Sequence, residues 1–201
     1  MVLKFHAKKY KTICQNVSMA VTNLVGDSIY FLDQFFNPFL KKIWYIWKPV
    51  TCFQVVVGAC GAGRYADCPG KTWHEILCCP LPGFYFGHCF EYGTEHGKPN
   101  SCLDHGEIPT LLEGTCGSGA ELDCDGYSVI NSCCEGHLAT TGENVGPNDR
   151  HCSWTYANHG YPLECGREDE IVAGRCGSGQ IARCPNDSSH GILCCELVVL
   201  E

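Results

Sequence analysis

Eighteen cysteines recur in one spacing three times over, and nothing else in the sequence restricts the fold as tightly. The first copy runs Gly58-Ala59-Cys60-Gly61-Ala62-Gly63, then Cys68, then Ile76-Leu77-Cys78-Cys79. The second runs Gly114-Thr115-Cys116-Gly117-Ser118-Gly119, then Cys124, then Asn131-Ser132-Cys133-Cys134. The third runs Gly174-Arg175-Cys176-Gly177-Ser178-Gly179, then Cys184, then Ile192-Leu193-Cys194-Cys195. The first interval is 8 residues in every copy, and the second is 10, 9 and 10. Upstream, His88-Cys89 and His151-Cys152 open the second and third copies, and Cys102 and Cys165 follow 13 residues later. Agreement of this kind marks tandem duplication. Each complete copy has six cysteines ending in a vicinal pair.

Cysteine at this density belongs to a disulfide scaffold made in an oxidising compartment. The chain is therefore expected to be secreted. A module of about 50 residues buries too little apolar surface to fold on that alone, and three disulfides at about 2–4 kcal/mol each supply the deficit. Apolar residues before the Cys-Gly elements (Val55–Val57, Leu111–Leu112, Ile171–Val172) predict short strands bounded by glycine turns. The expected modules span 51–80, 88–135 and 151–201. A net charge of −8 without a basic stripe argues against nucleic acid, and no run of about 18 apolar residues indicates a membrane-spanning helix.

Residues 1–50 differ from the rest. They carry seven lysines against Asp27 and Asp33, which is 7 − 2 = +5, whereas residues 51–201 hold seven basic and 20 acidic residues, which is 7 − 20 = −13. Val21, Val25, Ile29, Leu32, Phe36, Leu40, Ile43 and Trp47 recur at steps of three and four, so one apolar helical face is expected. Pro38 divides it into a helix at about 18–36 and a shorter one at about 38–47. Phe35, Phe36, Phe39, Trp44 and Trp47 with Lys41 and Lys42 suit either a lipid interface or a like subunit. The same face could instead pack on the cysteine-rich part. The basic start is followed by Gln15, Asn16 and Ser18, which a secretory leader rarely contains. Cys14 completes the short first module if it fills the vacant first position, since 6 + 6 + 6 = 18; the alternatives are free thiols or a bond between chains.

The order of six cysteines, the Gly-x-Cys strand and the terminal vicinal pair resemble the β-defensin-like superfamily. The stretch from Arg175 to Cys195 is similar to the C-terminal half of sea anemone sodium-channel toxins. A hydrophobic N-terminal part ahead of a cysteine domain resembles big defensins. The resemblance implies three tandem defensin-like β modules behind a helical segment. It also implies first-to-fifth, second-to-fourth and third-to-sixth pairing. Carried over, these are Cys14–Cys78, Cys52–Cys68 and Cys60–Cys79; Cys89–Cys133, Cys102–Cys124 and Cys116–Cys134; Cys152–Cys194, Cys165–Cys184 and Cys176–Cys195. Spacing alone allows 15 pairings per module. The acidic modules depart from cationic membrane-disrupting defensins, and the Cys89–Cys102 and Cys152–Cys165 segments are longer than usual. Cys176–Cys195 also looks a little like the start of hevein-type chitin-binding modules, without the cysteines that follow there.

No catalytic constellation is evident, and no cofactor or metal is expected. His88 and His151 precede equivalent cysteines, which predicts a repeated structural role. Asp123, Asp125 and the Glu168-Asp169-Glu170 run are expected to be solvated acidic surface rather than calcium ligands. Asn186-Asp187-Ser188 and Asn16-Val17-Ser18 fit the N-glycosylation acceptor pattern, Asn186 lying in the more polar loop. Two functions follow as expectations. One is a secreted, non-enzymatic host-defence or toxin-like protein whose residues 18–48 meet a membrane or self-associate. The other is an extracellular structural or assembly protein, a possible homo-oligomer. A protease inhibitor with Cys152–Cys165 as bait is a third.

Overall fold

The computed structural model describes residues 50–51, 55–61, 68, 74–79 and 81–200, except 82, 96, 106–107, 117–126, 128, 159 and 178–183. Eleven strands account for most of them. They are β1 (Val50–Thr51), β2 (Val55–Gly61), β3 (His74–Cys79), β4 (Phe84–Thr94) and β5 (Asn100–Ser101). Then come β6 (Leu111–Cys116), β7 (Val129–Leu138), β8 (Asn144–Ala157), β9 (Leu163–Glu164), β10 (Glu170–Gly177) and β11 (His190–Val199). No α-helix occurs among the described residues; a single 3-10 turn covers Pro185–Asp187. No helix there is long and apolar enough to cross a membrane.

The repeat is visible in the ladders. Each vicinal-cysteine strand pairs antiparallel with its Gly-x-Cys strand: β3 with β2, β7 with β6, β11 with β10. In the second and third copies a long strand covers the other side, β4 on β7 and β8 on β11. Each Gly-x-Cys strand has a register irregularity at the same place, between Val56 and Gly58, Leu112 and Gly114, and Val172 and Gly174.

Three separate defensin-like modules are not what forms. Eight strands from all three repeats share one sheet (β1-β6-β7-β8-β11-β10-β5, with β4 also on β7), and β3-β2-β9 make a second. The physical reason is an exchange of edges. The two residues before the second cysteine of each repeat add to the Gly-x-Cys strand of another repeat. Thr51 lies opposite Gly114, Ser101 opposite Gly174, and Glu164 opposite Gly58. Repeat one thus caps repeat two, two caps three, and three caps one, which closes a cyclic, threefold-like arrangement. Glycine is required at the contact. A Cβ on Gly174 would stand 2.6 Å from the Asn100 carbonyl oxygen, and one on Gly58 2.7 Å from that of Leu163. The helical segment expected over 18–36 and 38–47 lies outside the described residues.

The core sits where the repeats meet. Val56, Leu112 and Val172, each four residues before the third cysteine of its repeat, are buried together with Ile192 and the Cys102–Cys133 bond. Burying such side chains stabilises by about 1.5–3 kcal/mol apiece. Val55, Leu111 and Ile171, one position earlier, turn to the opposite face and pack with Val145 and Leu197.

The disulfides are nested, and this corrects the pairing implied by the resemblance. Cys89 bonds Cys134 instead of Cys133, and Cys102 bonds Cys133 instead of Cys124. Cys116–Cys134 therefore does not form. Cys152 bonds Cys195 instead of Cys194, Cys165 bonds Cys194 instead of Cys184, and Cys176 bonds Cys184 instead of Cys195. In the first repeat Cys60 bonds Cys68, which removes Cys52–Cys68 and Cys60–Cys79. The expected Cys14–Cys78 bond has its first member outside the described residues. The cause is strand alternation. Cys134 and Cys195 face Cys89 and Cys152 directly across the ladder, with Cα atoms 4.0 and 4.1 Å apart. Their neighbours Cys133 and Cys194 point to the other face and meet Cys102 and Cys165 in the core.

Candidate functional site

The strand alternation that sorts the cysteines also sorts the aromatics of β8. Trp154 and Tyr156 are two residues apart and so share a face. Their rings are nearly parallel, 8° apart in plane and 5.7 Å between centroids. Trp154 is half-buried against Ala173, Leu193 and Cys195. Tyr156 lies opposite Gly191, where a Cβ would come within 2.4 Å of its ring, so the glycine makes room for the ring. Burial raises the Tyr156 phenol above its ordinary pKa.

These rings line a groove of about 480 Å³ with Thr155, Ala157, Asn158, Asn186, Asp187 and Ser188. The far wall is a tight turn. Cys184 donates its amide to the Ser188 carbonyl at 3.0 Å, and the Ser188 hydroxyl donates to the Pro185 carbonyl at 2.7 Å. Asn186 and Asp187 both adopt the left-handed backbone, with φ of 59° and 53°. Consecutive non-glycine residues in that region are costly and persist only when their surroundings fix them. Both are exposed.

A second polar site is closed. Arg175 is fully buried between the second and third repeats, and among the described residues only its Nη1 has a partner, the Thr115 hydroxyl at 3.1 Å. Nε and Nη2 have none. Asn131 donates from Nδ2 to the Asn100 carbonyl at 3.1 Å, while both Asn side-chain oxygens lack donors. Burial pulls the Arg175 guanidinium down to about 10.

A third feature is the aromatic face of β4. His88 meets Phe90 edge-on at 4.4 Å, and Tyr92 stacks on His105 at 3.6 Å. Tyr85 stacks on His137 at 5.1 Å.

Of the residues singled out from the sequence, Asn186 reaches the groove. Phe35, Phe36, Phe39, Lys41, Lys42, Trp44, Trp47 and Asn16 lie outside the described residues, as do Asp123 and Asp125. His88 and His151 do not share a role: His88 packs on Phe90, whereas His151 Nδ1 lies 2.6 Å from the Glu196 carboxylate. The acidic run holds an ion pair, with Arg167 donating from Nε and Nη2 to both oxygens of Asp169 at 3.1 and 2.9 Å. Cys89, Cys134 and Glu113 bring three ligand-type atoms within 4.8 Å of one another, but the two sulfurs are bonded to each other. The start of the proposed bait segment, Cys152–Ala157, is strand β8 rather than loop. Sequence reasoning missed Trp154, Tyr156 and Arg175. The alternation Trp154-Thr155-Tyr156 was the available signal for the first two, and nothing local marks Arg175.

No family model matches this chain, and no curated protein or solved structure matches it either.

Proposed function

We infer that the chain is a secreted, non-enzymatic scaffold protein that assembles with further copies of itself outside the cell. The observation that carries this reading is a pair of long strands with one side open. Among the described strands β4 forms a ladder only with β7, and the His151–Ala157 part of β8 only with β11. An open strand edge is a template for another chain. The β4 face adds exposed Tyr85 and Phe90. Charge favours like partners: the +5 of residues 1–50 on one copy attracts the −13 of residues 51–201 on the next. Lysines and aromatics at 39–47 are available to anchor that contact. The six described disulfides fit an exported protein built for persistence.

The host-defence reading directs the same segment at lipid, and Trp44 and Trp47 beside Lys41 and Lys42 are what favour it. Sedimentation of the full chain between 1 and ~100 µM separates the two. The scaffold reading expects oligomers that grow with concentration and dissociate in high salt or on changing Trp44 and Trp47 to Ser. A monomer throughout, combined with dye release from anionic vesicles, overturns it in favour of the lipid reading.

A further inference from the structure

We propose that the Trp154–Tyr156 groove is a saccharide site, in which a pyranose ring lies against the stacked aromatic pair and its hydroxyls bond the Asn158, Asn186 and Asp187 side chains. This does not depend on self-assembly.

The stacked Trp154–Tyr156 pair offers an aromatic ring face on one side of the strand, and the C–H face of a pyranose is flat and apolar too. The groove volume of about 480 Å³ falls within the ~300–1,000 Å³ usual for small-molecule sites. Among the described residues the polar wall supplies two amides, two hydroxyls and one carboxylate. That mixture of donors and acceptors suits the hydroxyls of a sugar, which need both.

The wall is also set in place beforehand. The Cys176–Cys184 bond and the Ser188 hydroxyl hold the turn that forces Asn186 and Asp187 into left-handed backbone. Strain held in this way on a groove wall lowers the ordering cost of binding. On the other side, Gly191 lets the Tyr156 ring settle against the sheet.

One chemistry has two sources here. Asn186 is exposed and stands in an acceptor sequence, Asn186-Asp187-Ser188, on the wall of this groove. A sugar could therefore be the chain's own. In that case the Asn186 amide nitrogen attacks C1 of a sugar on a lipid-diphosphate donor during export. The new N–C1 bond replaces the C1–O bond, the lipid diphosphate leaves with the electron pair, and the transferase takes the amide proton. Alternatively the sugar belongs to a free oligosaccharide.

The test has two arms, both on the full chain with its disulfides formed. In the first, unglycosylated protein from a host lacking N-glycosylation is titrated with neutral trisaccharides of β-linked N-acetylglucosamine, β-linked glucose and α-linked mannose. Tryptophan fluorescence and calorimetry read the binding. A free-ligand site gives saturable binding of at least one sugar. It weakens tenfold or more in Trp154→Ala and Tyr156→Ala and is largely kept in Trp154→Phe and Tyr156→Phe. In the second arm, protein secreted from eukaryotic cells is digested and weighed. A self-filled site gives a glycan on Asn186, and enzymatic removal of that glycan increases quenching of Trp154 by acrylamide. The increase is absent in Trp154→Phe. Success in either arm supports the site and identifies the source. Silence in both arms overturns it, as does sugar binding that survives Trp154→Ala and Tyr156→Ala together.

Discussion

Replacing Arg175 with methionine is expected to stabilise this protein. The guanidinium is 1% exposed, makes one hydrogen bond, and leaves Nε and Nη2 unpaired. Burial lowers its pKa to about 10, a penalty of about 3 kcal/mol against the charged folded form. Because the folded pKa lies below the unfolded one, the penalty is complete below pH 10. It is relieved as pH rises above about 10, where the unfolded chain holds more protons. Methionine removes the charge and keeps much of the volume. It forfeits the charge-assisted bond to Thr115, worth about 2 kcal/mol, so the net gain is about 1 kcal/mol. For a chain of this size that is about 2–4 °C in Tm. Guanidinium unfolding under non-reducing conditions at pH 7 measures it, with an unchanged m-value as the check on compactness. Arg175→Lys keeps the charge and should give no gain. The difference between wild type and Arg175→Met should narrow between pH 10 and 11. A midpoint lowered by more than about 1 kcal/mol equivalent would refute the reasoning and mean that the guanidinium is satisfied in solution.

Gly174→Ala drives a methyl to 2.6 Å from the Asn100 carbonyl, so a loss of about 1–3 kcal/mol is expected, while Gly142→Ala, with φ of 74° but open space, should cost less. Thermal scans of both variants decide this; equal losses would argue against close contact between β5 and β10. Removing the Cys176–Cys184 bond as a double alanine variant should cost about 2–3 kcal/mol for its eight-residue span. It should also loosen the Asn186–Asp187 turn, seen as faster amide exchange there. In limited reduction with a water-soluble phosphine, the bond of exposed Cys89 should open before Cys102–Cys133, both of whose members are 0% exposed. Alkylation mapping reads the order, and early labelling of Cys102 would count against the core.

The repeat, the strands and the need for oxidised cysteine were legible because each depends on local chemistry. Val55–Val57, Leu111–Leu112 and Ile171–Val172 announce strands by their composition, whereas the close approach at Gly58 and Gly174 shows only in the fold. At the groove only Asn186 could be read, from its acceptor sequence. The partner rings on β8 sit some 30 residues earlier and meet it only through the β8–β11 ladder.

Sequence by itself therefore determined a thrice-repeated, disulfide-bonded β chain. Tertiary structure alone decided which sulfur meets which. Cys133 and Cys134 are chemically identical neighbours, and only the register of β7 against β4 points Cys134 towards Cys89 and turns Cys133 inward. The same holds for Arg175, which is an ordinary charged residue in the chain. It becomes a buried cation because an edge contributed by another repeat closes over its strand.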